Sequence, residues 1–171
     1  VKEMRAIQKT YATMQEMVDE TTAERVVIFA GHDSGEIPKL GSPYYISSIY
    51  WLVQHDAKRW GRDRVAKDKQ THQDIADYKE IAVDSHYIKM LVDVSKDNYV
   101  VLKTKDMEDG SMLKSIYEME GIVESIVYDI GFLKKNYLYM SIATFHEEGF
   151  SDDERSRLKL KANQIKHEFG L

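Results

Sequence analysis

The chain contains 171 residues, of which 43% are hydrophobic and 31% are charged. This composition is that of an ordinary globular domain and excludes an intrinsically disordered chain. The absence of cysteine excludes disulfides, thiolate metal sites, cysteine nucleophiles and thioether-linked chromophores. The formal net charge of −5 disfavours nucleic acid as a partner, because a polyanion is repelled on average.

The first segment is predicted to be a helix that ends at Thr21 and Thr22. Its apolar side chains follow the alternating three- and four-residue spacing of a heptad seam: Met4, Ile7, Tyr11, Met14 and Val18. We therefore expect an N-terminal helix over residues 1–22, used for signalling or dimerisation, and a main domain over residues 23–171.

Two strands are predicted after this helix. Residues 25–30 form a short apolar run rich in β-branched side chains, and residues 44–54 are rich in aromatic and β-branched side chains. The segment between them contains both prolines of the chain and is predicted to be an irregular loop. Residues 55–74 are charged and weakly patterned, so we expect a long excursion or a hairpin there.

Two short helices are predicted in the middle of the chain. Residues 84–94 have apolar side chains at helical spacing, with Asp84 as the N-cap. Residues 111–120 form the second helix, and Gly121 stands where a left-handed residue closes a helix. The extended segments around these helices are 78–83, 99–104 and a hairpin of 122–130 with 137–145.

The last helix begins at a capping box formed by Ser151 and Glu154. Its apolar seam is Leu158, Ala162, Ile165 and Phe169. The order of elements predicts an α/β (α+β) fold. We expect a central antiparallel β-sheet of about five to six strands, flanked by N- and C-terminal helices that pack together.

Several segments in this order resemble those of the GAF family, a small-molecule sensor fold related to PAS. The segments are RVVIFA, YVVLKT, SMLKSIYEME, the hairpin GIVESIVYDI with NYLYMSIATF, and the closing helix FSDDERSRLKLKANQI. The resemblance covers about residues 24 to 169. It implies a ligand pocket lined by Tyr44, Trp51, Tyr87, Met90, Thr104, Met107, Met112 and Tyr117.

The sequence departs from the family in ways that reduce the range of possible ligands and activities. The acidic pair Asp153 and Glu154 comes one residue too early after Phe150 for the signature of cyclic-nucleotide-binding members. The absence of cysteine excludes bilin attachment and the methionine sulfoxide reductase activity of some members. The sequence therefore names no cofactor.

No catalytic or metal site is predicted. The segment GHDSG fails as a nucleophile elbow, because His32 and Glu36 stand where that turn needs glycines. The six histidines include no pair four residues apart, and Asp106–Gly110 lacks the ligand pattern of a calcium loop. The basic stretch Lys58–Lys69, which contains Trp60, is interpreted as a solvated edge or an approach to a partner, with phosphate or base contact as the alternative.

The leading hypothesis is a non-catalytic sensor domain that binds a small molecule and transmits occupancy through its terminal helices. The alternative is a structural or protein-interaction module without a ligand. Heptad spacing favours a homodimer in which the two seams face a second copy. We expect a cytoplasmic protein, with a membrane tether upstream of Val1 as a further possibility.

Overall fold

A computed structural model describes residues 2–32 and 36–171. Over these residues the helices are α1 (Lys2–Glu20), α2 (Ala57–Trp60), α3 (Arg64–Ala76), α4 (Ser85–Asp97), α5 (Met112–Glu120) and α6 (Asp152–Glu168). The strands are β1 (Arg25–His32), β2 (Tyr45–Val53), β3 (Ile81–Ala82), β4 (Tyr99–Lys103), β5 (Glu124–Leu133) and β6 (Asn136–Thr144). Short 3-10 turns lie at Gly61–Asp63 and Thr104–Asp106.

The strands form one six-stranded sheet in the order β3-β2-β1-β6-β5-β4, and every pair is antiparallel. Strands β5 and β6 are joined by a two-residue turn at Lys134 and Lys135, as expected for the predicted hairpin. The antiparallel sheet with helices on its faces confirms the predicted fold class.

Each face of the sheet has its own apolar core because side chains alternate along a strand. Val27 and Phe29 of β1 point to the layer that contains α3, α4 and α5. Val26 and Ile28 of the same strand point to the layer that contains α1 and α6. Strand β1 is therefore shared by both cores.

Helices α1 and α6 lie together on one face of the sheet, as predicted. The Thr13 hydroxyl donates a hydrogen bond of 2.8 Å to Glu168, and the Lys161 ammonium lies 2.9 Å from a carboxylate oxygen of Glu16. These contacts join the outer edges of the two helices above the apolar layer.

The predicted dimer seam is partly used inside the chain. Its inner members are buried against the protein's own sheet: Met14, Val18, Leu158, Ala162 and Ile165. Ile7, Tyr11 and Phe169 are partly exposed, and the Met4 side chain is 65% exposed. The heptad pattern thus reflects in large part packing onto the sheet, and only its outer members are free to meet a second copy.

Of the two alternatives predicted for 55–74, a long excursion or a hairpin, the hairpin is wrong, because the segment folds into α2, a 3-10 turn and α3. Asp56 caps α2 by accepting a hydrogen bond from the backbone N–H of Lys58. Helix α3 buries only Thr71 and Ile75. Two buried positions give too weak a periodic signal for the sequence to reveal a helix.

The predicted caps are confirmed. Asp84 accepts a hydrogen bond from the Tyr87 N–H, Ser151 and Glu154 form the capping box, and Gly121 closes α5 in a left-handed conformation. Residues 33–35 of the predicted loop lie outside the described residues, and with them most of the GHDSG segment. None of the helices in the described part of the chain is both long enough and apolar enough to cross a membrane.

Candidate functional site

A small cavity lies between the sheet and helices α4 and α5. Its volume is about 10 Å³, which is room for about one water molecule. Strand residues form its floor and helix residues form its roof. The lining residues are Arg25, Phe29, Tyr78, Tyr87, Met90, Leu113, Ile116, Tyr117, Val127, Tyr139 and Ser141.

Arg25, which lines the cavity, is one member of a buried ion pair. The Arg25 Nε atom lies 2.8 Å from Glu120 Oε1, and Arg25 Nη2 lies 3.3 Å from Glu120 Oε2. Both side chains are almost completely buried, at 2% and 0% exposed. Burial opposes the charge on Arg25, but the attraction and hydrogen bond of Glu120, together with the electrostatic influence of Tyr78 and Tyr117, outweigh it and hold the pKa of the guanidinium above its ordinary value.

Hydroxyl groups surround this ion pair. The Tyr87 and Tyr139 hydroxyls share a hydrogen bond of 2.7 Å, and the Tyr117 hydroxyl lies 2.7 Å from the Ser125 hydroxyl. Burial raises the pKa of all three tyrosines above the ordinary value, so each keeps its proton and remains able to donate. Such a wall is complementary to a hydrogen-bond acceptor.

The cavity wall carries one charged side chain, Arg25, together with hydroxyl and apolar groups. Among the described residues that line the cavity, none is a histidine, a carboxylate, a lysine or a cysteine. Such a wall offers hydrogen-bond donors and apolar contacts to a small molecule.

Three of the eight predicted pocket residues line the cavity: Tyr87, Met90 and Tyr117. Tyr44 is buried in the same core, at the end of the sheet. The other four lie away from the cavity wall. Trp51 donates to His72, and Thr104 donates to the Ile122 carbonyl. Met107 is half-buried after the 3-10 turn, and Met112 is half-buried at the start of α5.

The sequence prediction missed the charged residue of the wall and three of its hydroxyl-bearing residues: Arg25, Tyr78, Tyr139 and Ser141. Alternation along β6 could have placed Tyr139 and Ser141 on one face, since they are two residues apart. No local signal identifies the partner of Arg25, because Glu120 is 95 residues away in the chain.

The aromatic residue of the basic stretch between residues 58 and 69 packs against its own neighbours. Trp60 packs edge-on against the His55 ring, and its own ring is covered by Arg59 and Lys67, 5.6 and 5.1 Å from its centroid. Arg59 also donates to the Phe145 carbonyl. The aromatic ring that could have stacked on a base is thus occupied by its neighbours.

Polar contacts outside the cavity join segments of the chain to one another. His55 contacts Asp68 at 2.5 Å, and His146 lies 3.4 Å from Glu24 and 3.5 Å from Asp56. Within residues 2–32 and 36–171, no group of three or more histidine, aspartate or glutamate side chains is placed to hold a metal ion.

Comparisons of the fold point to one kind of domain. The GAF domain/HD domain protein from Geobacter sulfurreducens superposes with a TM-score of 0.61 at 6% identity, over 96% of this chain and 92% of that chain. GAF3 from Slr1393 of Synechocystis sp. PCC6803, in its photoproduct state, has a TM-score of 0.60 at 11% identity, over 94% and 90%.

A third structure, the phycoerythrobilin-bound GAF domain from a cyanobacterial phytochrome, has a TM-score of 0.50 at 11% identity, over 98% of this chain and 94% of that chain. The sequence matches no protein-family model and no curated protein significantly. The likeness therefore concerns the fold and extends over almost the whole chain. The antiparallel sheet, with terminal helices on one face and a small cavity under the other helices, is the GAF fold.

Proposed function

We propose that this chain is a non-catalytic sensor domain that binds a small molecule in the cavity under α4 and α5. The observation that supports the proposal is the buried pair of Arg25 and Glu120 at the cavity wall. A buried ion pair contributes little to stability compared with apolar residues of the same size. Its presence beside several hydroxyls is typical of a binding site.

Binding requires the cavity to open, since it now has room for about one water molecule. Helix α5 is the wall that we expect to move, because it contacts the strands less than α4 does and carries Leu113, Ile116 and Tyr117 of the cavity wall. The strands of the floor are held by continuous ladders. The apparent affinity is then the affinity of the open form multiplied by the fraction of molecules that are open.

Occupancy reaches the terminal helices through the sheet. Arg25 lines the cavity, and the next residue, Val26, packs under α1 and α6. Tyr139 and Met140 of β6 are related in the same way. A shift of either strand on one face therefore changes the packing on the other, and a ligand that prefers one arrangement shifts the population.

The proposed homodimer uses the outer side of the helical layer. A groove of about 1260 Å³ lies between α1, the β5–β6 turn and the end of α6, and Ile7, Leu133 and Phe169 contribute its apolar surface. A second copy that covers this groove would link the helix arrangement of one chain to that of the other. We place the protein in the cytoplasm, where a chain without cysteine needs no oxidising environment.

The test is an NMR screen of the ¹⁵N-labelled chain against small acids, bases, amides and heterocycles. We expect a binder to shift amide signals of β1, β6, α4 and α5 and to raise the melting temperature. A ligand present at a hundred times its dissociation constant adds about 2.7 kcal/mol to the free energy of unfolding. Shifts confined to the groove between α1 and α6 would contradict the proposed site. No shift with any compound would favour the alternative of a structural or protein-interaction module.

A further inference from the structure

We infer that the ligand of this cavity is a small organic carboxylate with an apolar, ring-sized body, and that Arg25 binds its carboxylate group. The inference rests on the proposed function and names the chemical class of the ligand. Three features of the cavity support it: the free edge of the Arg25 guanidinium, the hydroxyl donors beside it and the apolar remainder of the wall.

Arg25 has donors that Glu120 does not use. A guanidinium presents five N–H groups in a planar fork. Glu120 accepts from Nε and Nη2, at 2.8 and 3.3 Å, which leaves Nη1 on the other edge. Nη1 lies 3.5 Å from the hydroxyl of Ser141, which also lines the cavity. The long contact with Ser141 is weak, so this edge can accept a stronger partner.

The other polar groups of the wall also suit an acceptor. Tyr78, Tyr87, Tyr117 and Tyr139 line the cavity, and no carboxylate stands among the described residues that line it. A carboxylate would receive charge-assisted hydrogen bonds, which are about twice as strong as those between neutral groups. An ammonium ligand would instead face a buried guanidinium and no counter-charge.

Glu120 keeps Arg25 in place for this role. It holds the guanidinium from the side opposite the free edge, and it is itself completely buried at the end of α5. The same residue therefore positions Arg25 and connects it to the helix that forms the movable roof. A carboxylate bound to the free edge competes with Glu120 for the same positive charge, which loosens the end of α5.

The rest of the ligand must be apolar. Phe29, Met90, Leu113, Ile116 and Val127 supply the remaining wall, and none of them offers a polar side-chain atom that would pair with a second charge. Outward movement of Leu113 and Ile116 with α5 creates a space bounded by apolar groups. A single ring fills such a space and regains the contacts that the movement breaks.

The experiment compares three probes with the same ring: benzoate, benzamide and benzylamine. Each is titrated into the full chain, and binding is followed by the ¹⁵N amide signals of β1, β6 and α5. We expect benzoate to bind about ten- to a hundred-fold more tightly than benzamide, the difference of one charge-assisted contact. Benzylamine should not bind.

The matched variant replaces both members of the ion pair, Arg25→Met with Glu120→Met. Exchanging a buried pair for apolar residues of similar size usually preserves folding, whereas removing one partner does not. We expect benzoate to lose its advantage over benzamide in this variant. The control is Lys161→Met with Glu16→Met, which removes a partly exposed ion pair, 2.9 Å apart, on the opposite face of the sheet. Benzoate binding should not change in the control.

Equal affinity of benzoate and benzamide would overturn the inference, and so would benzoate binding that survives the loss of Arg25 and Glu120. Benzamide binding alone at these signals would overturn it and leave the proposed function intact. Failure of all three probes would also overturn it, while the broader screen decides the proposed function separately.

Discussion

Arg25 is a charged residue buried in the interior of this protein. It begins β1, lies under α4 and α5, and meets a carboxylate that stands 95 residues later in the chain. Its charge is compatible with burial because Glu120 accepts two hydrogen bonds from it. Loss of either partner leaves the other charged and buried without compensation.

The single variants Arg25→Met and Glu120→Met should therefore each lower the free energy of unfolding by about 3–5 kcal/mol. The double variant should recover most of this loss, since two apolar side chains then meet in the core. Urea denaturation of the four proteins gives the coupling energy. Additive losses in the double variant would show that the two side chains do not depend on each other.

Gly31 is a second residue with a strict requirement. A Cβ atom at this position would lie 2.2 Å from the Tyr44 hydroxyl oxygen and 2.7 Å from two carbons of its ring. Gly31 thus allows the Tyr44 ring to lie flat against β1 at the end of the sheet. Tyr44 is buried, at 3% exposed, so it has little room to move away.

Gly31→Ala should destabilise the protein by about 1–3 kcal/mol, because the added methyl group overpacks the site. Tyr44→Phe should not relieve the loss, since the ring carbons stay in place. In a Tyr44→Ala background, Gly31→Ala should cost less than about 1 kcal/mol, because the ring no longer opposes the methyl group. Thermal unfolding of the matched set measures these differences. A loss independent of the residue at 44 would point to the backbone of β1 instead.

The cavity wall could be predicted from sequence only where it is helical. The resemblance to the GAF family implied Tyr87, Met90 and Tyr117 as pocket residues, and all three are buried on α4 and α5. Arg25 begins an apolar run, and a charged residue in that place normally marks the exposed end of a strand. Its burial depends on Glu120, and a contact of that sequence separation leaves no local pattern.

At the level of elements, helices α4 and α5 are joined by one side chain. Asp84 accepts a hydrogen bond of 2.9 Å from the Tyr87 N–H and one of 2.8 Å from the Met112 N–H. It therefore caps the first helix and fixes the start of the second. Partial burial opposes its ionisation, but the hydrogen bonds from Met112 and Tyr87 outweigh this effect and hold the pKa of Asp84 below its ordinary value.

This pKa gives the Asp84 contribution a defined pH dependence. A carboxyl group whose pKa is depressed on folding stabilises the protein fully above its unfolded pKa of about 4. The contribution is lost as the pH falls through the lower, folded value. The difference in unfolding free energy between the natural chain and Asp84→Ala should thus be constant above about pH 5 and shrink below about pH 4.

Urea denaturation between pH 3 and pH 7 measures this difference. The matched control is Asp109→Ala, since Asp109 is also an acid with a lowered pKa but is held by the side chain of Lys114 rather than by a helix start. We expect Asp84→Ala, and not the control, to loosen the α4–α5 roof in amide hydrogen exchange. Equal protection of α5 in both variants would contradict the role of Asp84 as the link.

The elements that the sequence predicted well are those with a local physical signature. The capping box at Ser151, the left-handed glycine at 121 and the turn of the β5–β6 hairpin each involve residues close in the chain. Helices α2 and α3 escaped prediction because their outer faces are polar and their inner contacts are few. Their position is set by long-range contacts such as that of His55 with Asp68.

At the scale of the whole molecule, the exposed apolar side chains on α1 and α6 bear on whether the chain forms a dimer. The inner part of the heptad seam is satisfied within one chain, yet Leu160 on α6 and Met4 on α1 leave 70% and 65% of their surface exposed. A second copy that covers α1 and α6 would bury these side chains. Closed two-fold pairs are the commonest arrangement of soluble oligomers.

We expect the natural chain to form a dimer in light scattering and Leu160→Glu to weaken it by at least about ten-fold, since a charge would be buried in the contact. The matched control is Val65→Glu on α3, where the side chain is 77% exposed on a different layer. Dissociation by both variants would place the contact elsewhere, and a natural chain that is monomeric at every concentration would remove the dimer.

Strand β1 supplies both layers from a single alternation, Arg25 and Val27 to one side and Val26 and Ile28 to the other. One residue inserted into this strand would exchange its two faces. The Arg25 side chain would then lie beneath the terminal helices, and Val26 would face the cavity lined by tyrosines. We therefore expect insertions to be tolerated in the loops but not in β1, because an insertion there would disturb both apolar cores.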